Sequence, residues 1–265
     1  MIKKQYSGIL SVVGTGPGAA DLIPPRARLA IEQAEVVVGY RTYLDLIADC
    51  ITPQQEVLSS AMMQEIDRCR RALELADNGR KVVLVCGGDP GIYAMAGLVY
   101  ELARETGSKS KIEIVPGIAA LNACAALLGA PLMHDFAAIS LSDLMTPWSV
   151  IEQRLKAAAM ADFVTVIYNP KSKKRTQQIV RARDIMLEYR SAKTPVGIVC
   201  GATRSHESVC LTSLDRMLVE DIGMQTTLII GNKATYIFQD KMITPRGYSD
   251  KYGFMEGDRT GVDTV

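Results

Sequence analysis

The sequence predicts an α/β fold built on a parallel β-sheet, and three observations lead to this prediction. Short apolar runs alternate with helical patterns through the first half of the chain. Three of these runs lead directly into a turn rich in glycine: GTGPG, GGDPG and VPG. The length of 265 residues and the 48% of hydrophobic residues allow one large domain or two of ordinary size. Strands that are apolar on both faces are typical of a parallel sheet covered by helices.

The first half begins with a predicted strand at residues 9–13 and a helix at 27–34. Pro24 and Pro25 mark the start of that helix, since proline is tolerated in a first turn. A second helix is predicted at 62–76, where apolar residues recur at spacings of three and four. The other elements predicted here are strands at 36–38, 82–86 and 112–115, a helix at 94–103, and an alanine-rich helix that ends at 128.

The sequence Gly129-Ala130-Pro131 interrupts this alternation, and we predict a domain boundary just beyond it. The expected division is an N-terminal α/β domain at 1–132, a C-terminal α/β domain at 133–249 and a disordered polar tail at 250–265. Elements predicted in the second half are strands at 137–141, 163–168, 196–200, 208–211, 226–230 and 236–238, and helices at 148–158 and 176–189.

The bulk composition excludes several classes of function. A net charge of +1 gives no whole-molecule attraction to nucleic acid or to a membrane surface, and no apolar segment approaches the roughly 20 residues of a membrane span. The N-terminal run ILSVV is short, so we expect no signal peptide and a cytoplasmic protein. Six cysteines form no C-x-x-C pair, which favours buried free thiols over a metal site.

The first glycine turn, GTGPGA, loosely fits the G-x-G-x-x-A dinucleotide fingerprint. That fingerprint needs a helix to begin at the glycines, so that the helix N-terminus faces the pyrophosphate. Pro24 and Pro25 follow too soon for such a helix, because proline inside a helix removes a donor and clashes with the preceding turn. The sequence therefore favours a loop at this position.

The second turn, GGDPGIY, contains Asp89 where a phosphate-binding loop would contain a lysine. Asp89 fits a helix cap with Pro90 behind it, and it could equally accept hydrogen bonds from a cationic or hydroxyl-bearing ligand. Three glycine turns after strands of one parallel sheet converge at its carboxyl edge, where open α/β sheets bind ligands.

Two further groups of residues have both a structural and a functional interpretation. Lys171, Lys173, Lys174 and Arg175 precede a predicted helix, where cations oppose the helix dipole, and an acidic ligand would reverse that penalty. Tyr40 and Tyr43 either pack locally or contact a flat ligand. His134 and His206 have no partner motif that would suggest a catalytic triad.

Taken in order, VGTGPG, GYRTY, GGDPGIY, VPGIAA, YNP and CGATR resemble the tetrapyrrole (corrin/porphyrin) methylases over residues 8–247. The stretches HDFAAISLSDLMTPW, YNPKSKKR and ITPRGY are most similar to the branch that methylates carbon 17 of precorrin-3B or cobalt-precorrin-3 with ring contraction, in cobalamin biosynthesis. The resemblance implies two α/β domains, each a mixed sheet flanked by helices, with the active site in the interdomain cleft. It also implies S-adenosylmethionine as cofactor, S-adenosylhomocysteine as product, an anionic tetrapyrrole substrate and a homodimer.

Site residues follow from the resemblance and from charge. The cofactor contacts that the resemblance implies are Pro17, Gly87, Gly88, Asp89, Ile92, Ala119, Ala120, Asn169, Gly201, Ala202 and Thr227. Many family members have serine or threonine at the position of Ala119, so a hydroxyl contact is either lost here or supplied by another residue. Candidate substrate-binding cations are Lys171, Lys173, Lys174, Arg175, Arg204 and Arg41. Asp89 and Asp143 are candidate bases for a later proton loss.

Two alternatives stay open at this point. One is another precorrin or uroporphyrinogen methyltransferase of the same fold. The other is a non-catalytic tetrapyrrole-binding protein, which would keep the cationic patch but would not need the glycine-rich cofactor turns.

Overall fold

The structure, a computed structural model, describes residues 8–61 and 63–253 and divides into two compact units. Among the described residues, the first unit comprises those up to Ala123 together with Gly201–Glu207, and the second comprises Cys124–Cys200 and those from Ser208 on. The domain boundary expected after residue 132 stays a prediction. Residues 254–265 of the predicted disordered tail lie outside the described residues.

The first unit alternates strands and helices. Its strands are β1 (Ile9–Gly14), β2 (Val36–Tyr40), β3 (Glu56–Ser60), β4 (Lys81–Cys86) and β5 (Lys111–Val115). Its helices are α1 (Pro25–Glu32), α2 (Arg41–Leu46), α3 (Glu65–Asp77) and α4 (Ala96–Thr106), with short 3-10 turns at Ala20–Leu22 and Ala48–Cys50. Helix α5 (Ala120–Leu128) spans the division between the units.

The sheet of the first unit has the strand order β3-β2-β4-β1-β5, and every pair in it is parallel. Alternate residues of one strand are buried on opposite faces: Val12 packs in a cluster with residues of α3 and α4, and Val13 packs in a cluster with residues of α1. The parallel sheet covered on both faces that the apolar runs predict is thereby confirmed. All five strands therefore end at one edge of the sheet.

The first glycine turn does not open a helix. A 3-10 turn at Ala20–Leu22 follows it, and α1 begins only at Pro25, with proline in its first turn. The argument against a dinucleotide fingerprint is confirmed, because no helix N-terminus lies at Gly14–Gly18 in the described structure.

The second unit contains a mixed sheet and a small additional sheet. Its further elements are β6 (Gly129–Ala130), β7 (Phe136–Ser140), α6 (Trp148–Met160), β8 (Val164–Tyr168), α7 (Gln177–Leu187), β9 (Pro195–Cys200), β10 (Ser208–Ser213), β11 (Thr226–Ile230), β12 (Tyr236–Phe238), β13 (Lys241–Ile243) and α8 (Tyr248–Tyr252). The main sheet has the order β10-β9-β11-β8-β7, in which β7 and β8 are parallel and the other pairs antiparallel. Strands β12, β13 and β6 form the small sheet. The α/β class is confirmed, and the mixed sheet that the resemblance implies is found in this unit.

Candidate functional site

Three loops meet at the carboxyl edge of the first sheet, after the adjacent strands β4, β1 and β5. Gly16 and Gly88 are paired in a two-bond bridge: the Gly16 N–H donates to the Gly88 carbonyl at 3.2 Å, and the Gly88 N–H donates to the Gly16 carbonyl at 2.7 Å. Both the N–H and the hydroxyl of Thr15 donate to the Cys86 carbonyl, at 2.9 and 3.1 Å. The first two loops are thus fastened to each other by backbone hydrogen bonds.

Glycine is required where these loops cross because their backbones are in direct contact. A Cβ on Gly14 would lie 2.6 Å from the Gly88 oxygen, and a Cβ on Gly117 would lie 2.1 Å from the same oxygen. Neither distance is possible for a real side chain, so only glycine permits this approach. Gly88 itself has φ +70°, in the left-handed region that favours glycine.

Asp89 joins the second loop to the third. Its Oδ1 accepts a hydrogen bond from the Gly91 N–H at 2.8 Å, and its Oδ2 accepts one from the Gly117 N–H at 3.1 Å. The carboxylate therefore satisfies two backbone donors that lie outside regular structure. The Asp89 carboxylate thus links the second loop to the third and fixes the shape of this edge.

The Gly88 backbone lies next to the third loop, at ordinary van der Waals distance. A Cβ there would meet no atom closer than 3.7 Å, and the nearest atoms are backbone atoms of Ala119, Ala120 and Ile118. Ala120 begins α5, and the N–H of a first helical residue has no partner within the helix. Backbone N–H donors and glycines that allow close approach suit a ligand that contains a ribose and an amino acid group. The residues present therefore fit S-adenosylmethionine. Ile92 is 37% exposed near this edge, whereas Ala119 is buried.

The segment Gly201–Glu207 belongs to the first unit and lies against the first loop. The Ala19 N–H donates to the Thr203 hydroxyl at 3.1 Å, and the Arg204 Nε donates to the Pro17 carbonyl at 3.1 Å. This brings Pro17 together with the segment that contains Gly201 and Ala202. Thr203, which has φ +64°, was not identified from the sequence. Its hydroxyl contact joins residues 184 positions apart, and local pattern contains no signal for it.

The two tyrosines of GYRTY pack locally, as the structural interpretation expects. Their rings contact edge to face, with centroids 5.5 Å apart. A Cβ on Gly87 would lie 2.6 Å from the Tyr43 ring, so Gly87 is needed for this packing. Burial raises the pKa of Tyr43. Arg41 is exposed.

Arg68 was not identified from the sequence, although it is a buried cation at this edge. Its guanidinium donates to the Ser60 hydroxyl at 2.5 Å and to the Ala61 carbonyl at 2.9 Å, and it lies 5.9 Å from the centre of the Tyr40 ring. Within the described residues it forms no ion pair. Arg68 connects the end of β2 to the end of β3. The amphipathic pattern of its helix gave no reason to expect that this side chain is buried.

In the second unit, Asn169 follows β8 with φ +50°. Its side-chain amide donates to the Ser140 hydroxyl at 2.9 Å, and its carbonyl accepts from the Arg175 guanidinium at 2.8 Å. Lys171 is half-buried, and Lys173 and Lys174 are exposed. Thr227 is buried in β11.

Asp143 is exposed, and its Oδ2 accepts a hydrogen bond from the Gln178 amide at 2.9 Å. Asp89 and Asp143 lie in different units. Their assignment as bases, and the site assignments as a whole, stay predictions.

The described residues contain no group of three or more histidine, cysteine, aspartate or glutamate side chains that could hold a metal ion. Burial raises the pKa of the Cys86 thiol, at the end of β4, to about 11, so this sulfur is protonated at neutral pH. In the part of the chain that the structure describes, no helix has the length and apolar character needed to cross a membrane.

Fold and site together define an α/β protein in which three glycine-containing loops meet at the carboxyl edge of a parallel sheet. The chain belongs to the tetrapyrrole (corrin/porphyrin) methylases, since the profile of that family matches residues 10–218. The family predicted from the sequence is thereby confirmed.

Curated relatives and solved structures agree with this membership. A probable cobalt-factor III C(17)-methyltransferase from Salmonella typhimurium is 48% identical over 241 residues, covering 91% of this chain and 100% of that protein. A cobalt-factor III methyltransferase from Priestia megaterium is 50% identical over 249 residues, covering 92% of this chain. The match covers only 46% of the length of the Priestia protein. The crystal structure of the methyltransferase CobJ superposes with a TM-score of 0.85 at 36% identity, covering 90% of this chain and 100% of that one.

Proposed function

We propose that this chain transfers a methyl group from S-adenosylmethionine to carbon 17 of cobalt-factor III, or of a related precorrin-3 intermediate, with ring contraction in cobalamin biosynthesis. The observation that carries the proposal is the match to the Salmonella relative over the whole length of that protein. The glycine-rich edge of the first sheet supports it, because a non-catalytic binder would not need such a cofactor site.

The residues that would hold the cofactor lie mainly in the first unit: Pro17, Gly87, Gly88, Asp89, Ile92, Ala119, Ala120, Gly201 and Ala202. Asn169 and Thr227 of the second unit complete the proposed set. Bound there, S-adenosylmethionine supplies a sulfonium methyl group that has its own leaving group, so no covalent protein intermediate is required.

The role of the chain is then to bind the cofactor and the substrate and to align them. The Gly16–Gly88 bridge and the Asp89 carboxylate keep three loops in one arrangement, so that little order has to be imposed when the cofactor binds. Alignment of two reactants can lower the activation barrier by several kcal/mol. A base that assists proton loss from the macrocycle remains part of the proposal, with Asp89 and Asp143 as the candidates.

The macrocycle of the proposed substrate bears many carboxylates, and a chain with a net charge of +1 must concentrate cations at one place to bind it. The cations that the sequence suggests for this role are Lys171, Lys173, Lys174, Arg175, Arg204 and Arg41. Arg175 and Arg204 differ from the lysines because each guanidinium also donates to a backbone carbonyl of its own unit.

Replacing Lys171 and Lys174 together by alanine should raise the substrate KM about tenfold at low ionic strength, since exposed pairs contribute up to about 1 kcal/mol each. The effect should shrink at physiological salt because these charges are screened. Initial-rate measurements at two salt concentrations test this, with Lys233→Ala, an exposed lysine in the same unit, as the matched control. A wild-type KM that does not depend on salt would contradict the assignment.

The assembly and the compartment are also proposals. We expect a homodimer in the cytoplasm. Tyr236 and Phe238 of β12 are both exposed and lie on the same face of the strand. They support self-association, because exposed apolar patches mark interaction surfaces. Light scattering after gel filtration gives the mass in solution, and a monomer at micromolar concentration would contradict the dimer.

Equilibrium dialysis with S-adenosylhomocysteine, followed by mass spectrometry of the product from each candidate macrocycle, tests the proposed function. Methylation of uroporphyrinogen alone would assign a different methyltransferase of the same fold. Tetrapyrrole binding without any binding of the cofactor would assign the non-catalytic class.

A further inference from the structure

The loop between β7 and α6, residues 142–147, exposes two consecutive large apolar side chains. Leu144 is 72% exposed and Met145 is 91% exposed. Single exposed apolar residues are common on protein surfaces, but two neighbours at the tip of one loop form a patch. We call residues 142–147 the apolar loop.

The apolar loop lies beside the cationic loop, residues 169–176, which contains the three lysines. Strands β7 and β8 are parallel, and Ser140 pairs with Tyr168, so both loops leave the same edge of the second sheet. The Asn169 amide donates to the Ser140 hydroxyl at 2.9 Å, and the Gln178 amide donates to the Asp143 carboxylate at 2.9 Å. Two hydrogen bonds therefore connect the segment that contains the apolar loop to the segment that contains the cationic loop.

Arg175 holds the two loops together. One of its terminal nitrogens donates to the Asn169 carbonyl at 2.8 Å, and the other lies 3.5 Å from the Ser142 hydroxyl. Its Nε is buried. A guanidinium in these contacts presents its planar fork to the protein, in a way that the single ammonium of lysine could not reproduce.

The lysines of the cationic loop are free to meet an anion. Within the described residues, no ion pair involves Lys171, Lys173 or Lys174. One surface thus combines a pair of apolar side chains with unpaired cations. A broad, apolar ring with carboxylates at its periphery has the complementary chemistry.

We propose that the apolar loop is a substrate-specificity element: Leu144 and Met145 contact the face of the tetrapyrrole ring, the lysines bind its peripheral carboxylates, and Arg175 positions the two loops. This inference rests on the proposed function and assigns the second unit a part in substrate recognition. Arg175 is a positioning residue in this account, whereas the sequence suggested a direct contact with substrate.

The first test replaces both apolar side chains, in Leu144→Ser/Met145→Ser, and measures methyl transfer to cobalt-factor III. The substrate KM should rise about tenfold, because partial burial of two apolar side chains is lost, with kcat and the Kd for S-adenosylhomocysteine unchanged. The matched control is Met160→Ser/Val219→Ser, in which both original side chains are also exposed, at 69% and 77%. An unchanged KM in the first variant, in an enzyme that turns over, overturns this inference and leaves the proposed function standing.

The second test concerns Arg175. As a positioning residue it should not be rescued by lysine, so Arg175→Lys and Arg175→Met should raise KM by similar factors and leave the salt dependence of KM as in wild type. Near-normal KM in Arg175→Lys, with a reduced salt dependence in Arg175→Met, would assign Arg175 to direct charge recognition and overturn its positioning role.

A third measurement distinguishes a tetrapyrrole from a membrane surface as the anionic, apolar partner. Wild-type protein should not sediment with vesicles of phosphatidylcholine and phosphatidylserine. Sedimentation that Leu144→Ser/Met145→Ser abolishes would assign the apolar loop to a membrane surface and overturn the inference. Absence of both methyl transfer and tetrapyrrole binding in wild type would overturn the proposed function and this inference together.

Discussion

Replacing Gly117 by alanine is expected to weaken the binding of S-adenosylhomocysteine by about 100-fold, because a rearrangement of the loops that costs about 3 kcal/mol lowers the affinity by about that factor. The new Cβ would lie 2.1 Å from the Gly88 oxygen and 2.7 Å from the Gly14 carbonyl carbon. Both neighbours are backbone atoms, so neither can move aside by changing a rotamer. The loops after β1, β4 and β5 would have to separate, and overpacking of this kind typically destabilises by about 1–3 kcal/mol.

Isothermal titration with S-adenosylhomocysteine, together with thermal unfolding, measures both effects. Gly97→Ala is the matched control, because a Cβ at Gly97 would have no atom within 4 Å and alanine is the better helix former. We expect this control to bind the cofactor normally and to be at least as stable as wild type. Normal affinity in Gly117→Ala would mean that the glycine loops are not the cofactor site.

Replacing Asp89 by asparagine should raise the Kd for S-adenosylhomocysteine about tenfold. The substitution turns one of the two accepting oxygens into an NH₂ group, and a backbone donor left without a partner costs about 1–3 kcal/mol. Either the Gly91 N–H or the Gly117 N–H loses its acceptor. If Asp89 acts only on the shape of the loops, the pH profile of kcat keeps its form.

The pH profile distinguishes positioning from base catalysis at Asp89. A base would lose one limb of the profile on substitution by asparagine, with unchanged cofactor affinity. Asp143→Asn is the companion variant: its carboxylate is exposed and bonded to Gln178, so we expect an unchanged Kd for the cofactor. If both variants keep wild-type turnover, neither aspartate is the base.

Elements with a strong local signal could be predicted from the sequence. The strands with mainly apolar runs, such as β4 and β11, are buried along nearly their whole length. Alternation of such strands with helices predicts a parallel sheet for the first unit. Strand β3 was not predicted. Its residues EVLSS are mostly exposed because it forms the edge of the sheet, and an edge strand contains no continuous apolar run.

Weak signals also explain the other missed elements. Strands β6 and β13 have two and three residues, too few to show a period. Helix α2 follows β2 without a turn residue between them, so GYRTY gave no helix start signal. Helix α8 ends at Tyr252, and the disordered tail expected from Asp250 stays a prediction.

The location of the candidate site could be predicted from the sequence, but most of the contacts within it could not. Convergence of three glycine turns followed from parallel strands, and the structure brings them together. The bond from Asp89 to Gly117 joins residues 28 positions apart, and that from Arg204 to Pro17 joins residues 187 positions apart. Such pairings depend on strand order, which local pattern does not specify. The same is true of Arg175: the sequence shows its charge but does not predict its contact with Ser142.

The central claim is tested most directly by methyl transfer itself. The protein is incubated with cobalt-factor III and S-adenosylmethionine that has a carbon-13 methyl group, and the product is analysed by mass spectrometry and NMR. The account predicts one labelled methyl group, attached at carbon 17 of a contracted ring, with stoichiometric S-adenosylhomocysteine. Failure to bind S-adenosylhomocysteine, or a labelled methyl group at another carbon, would contradict it.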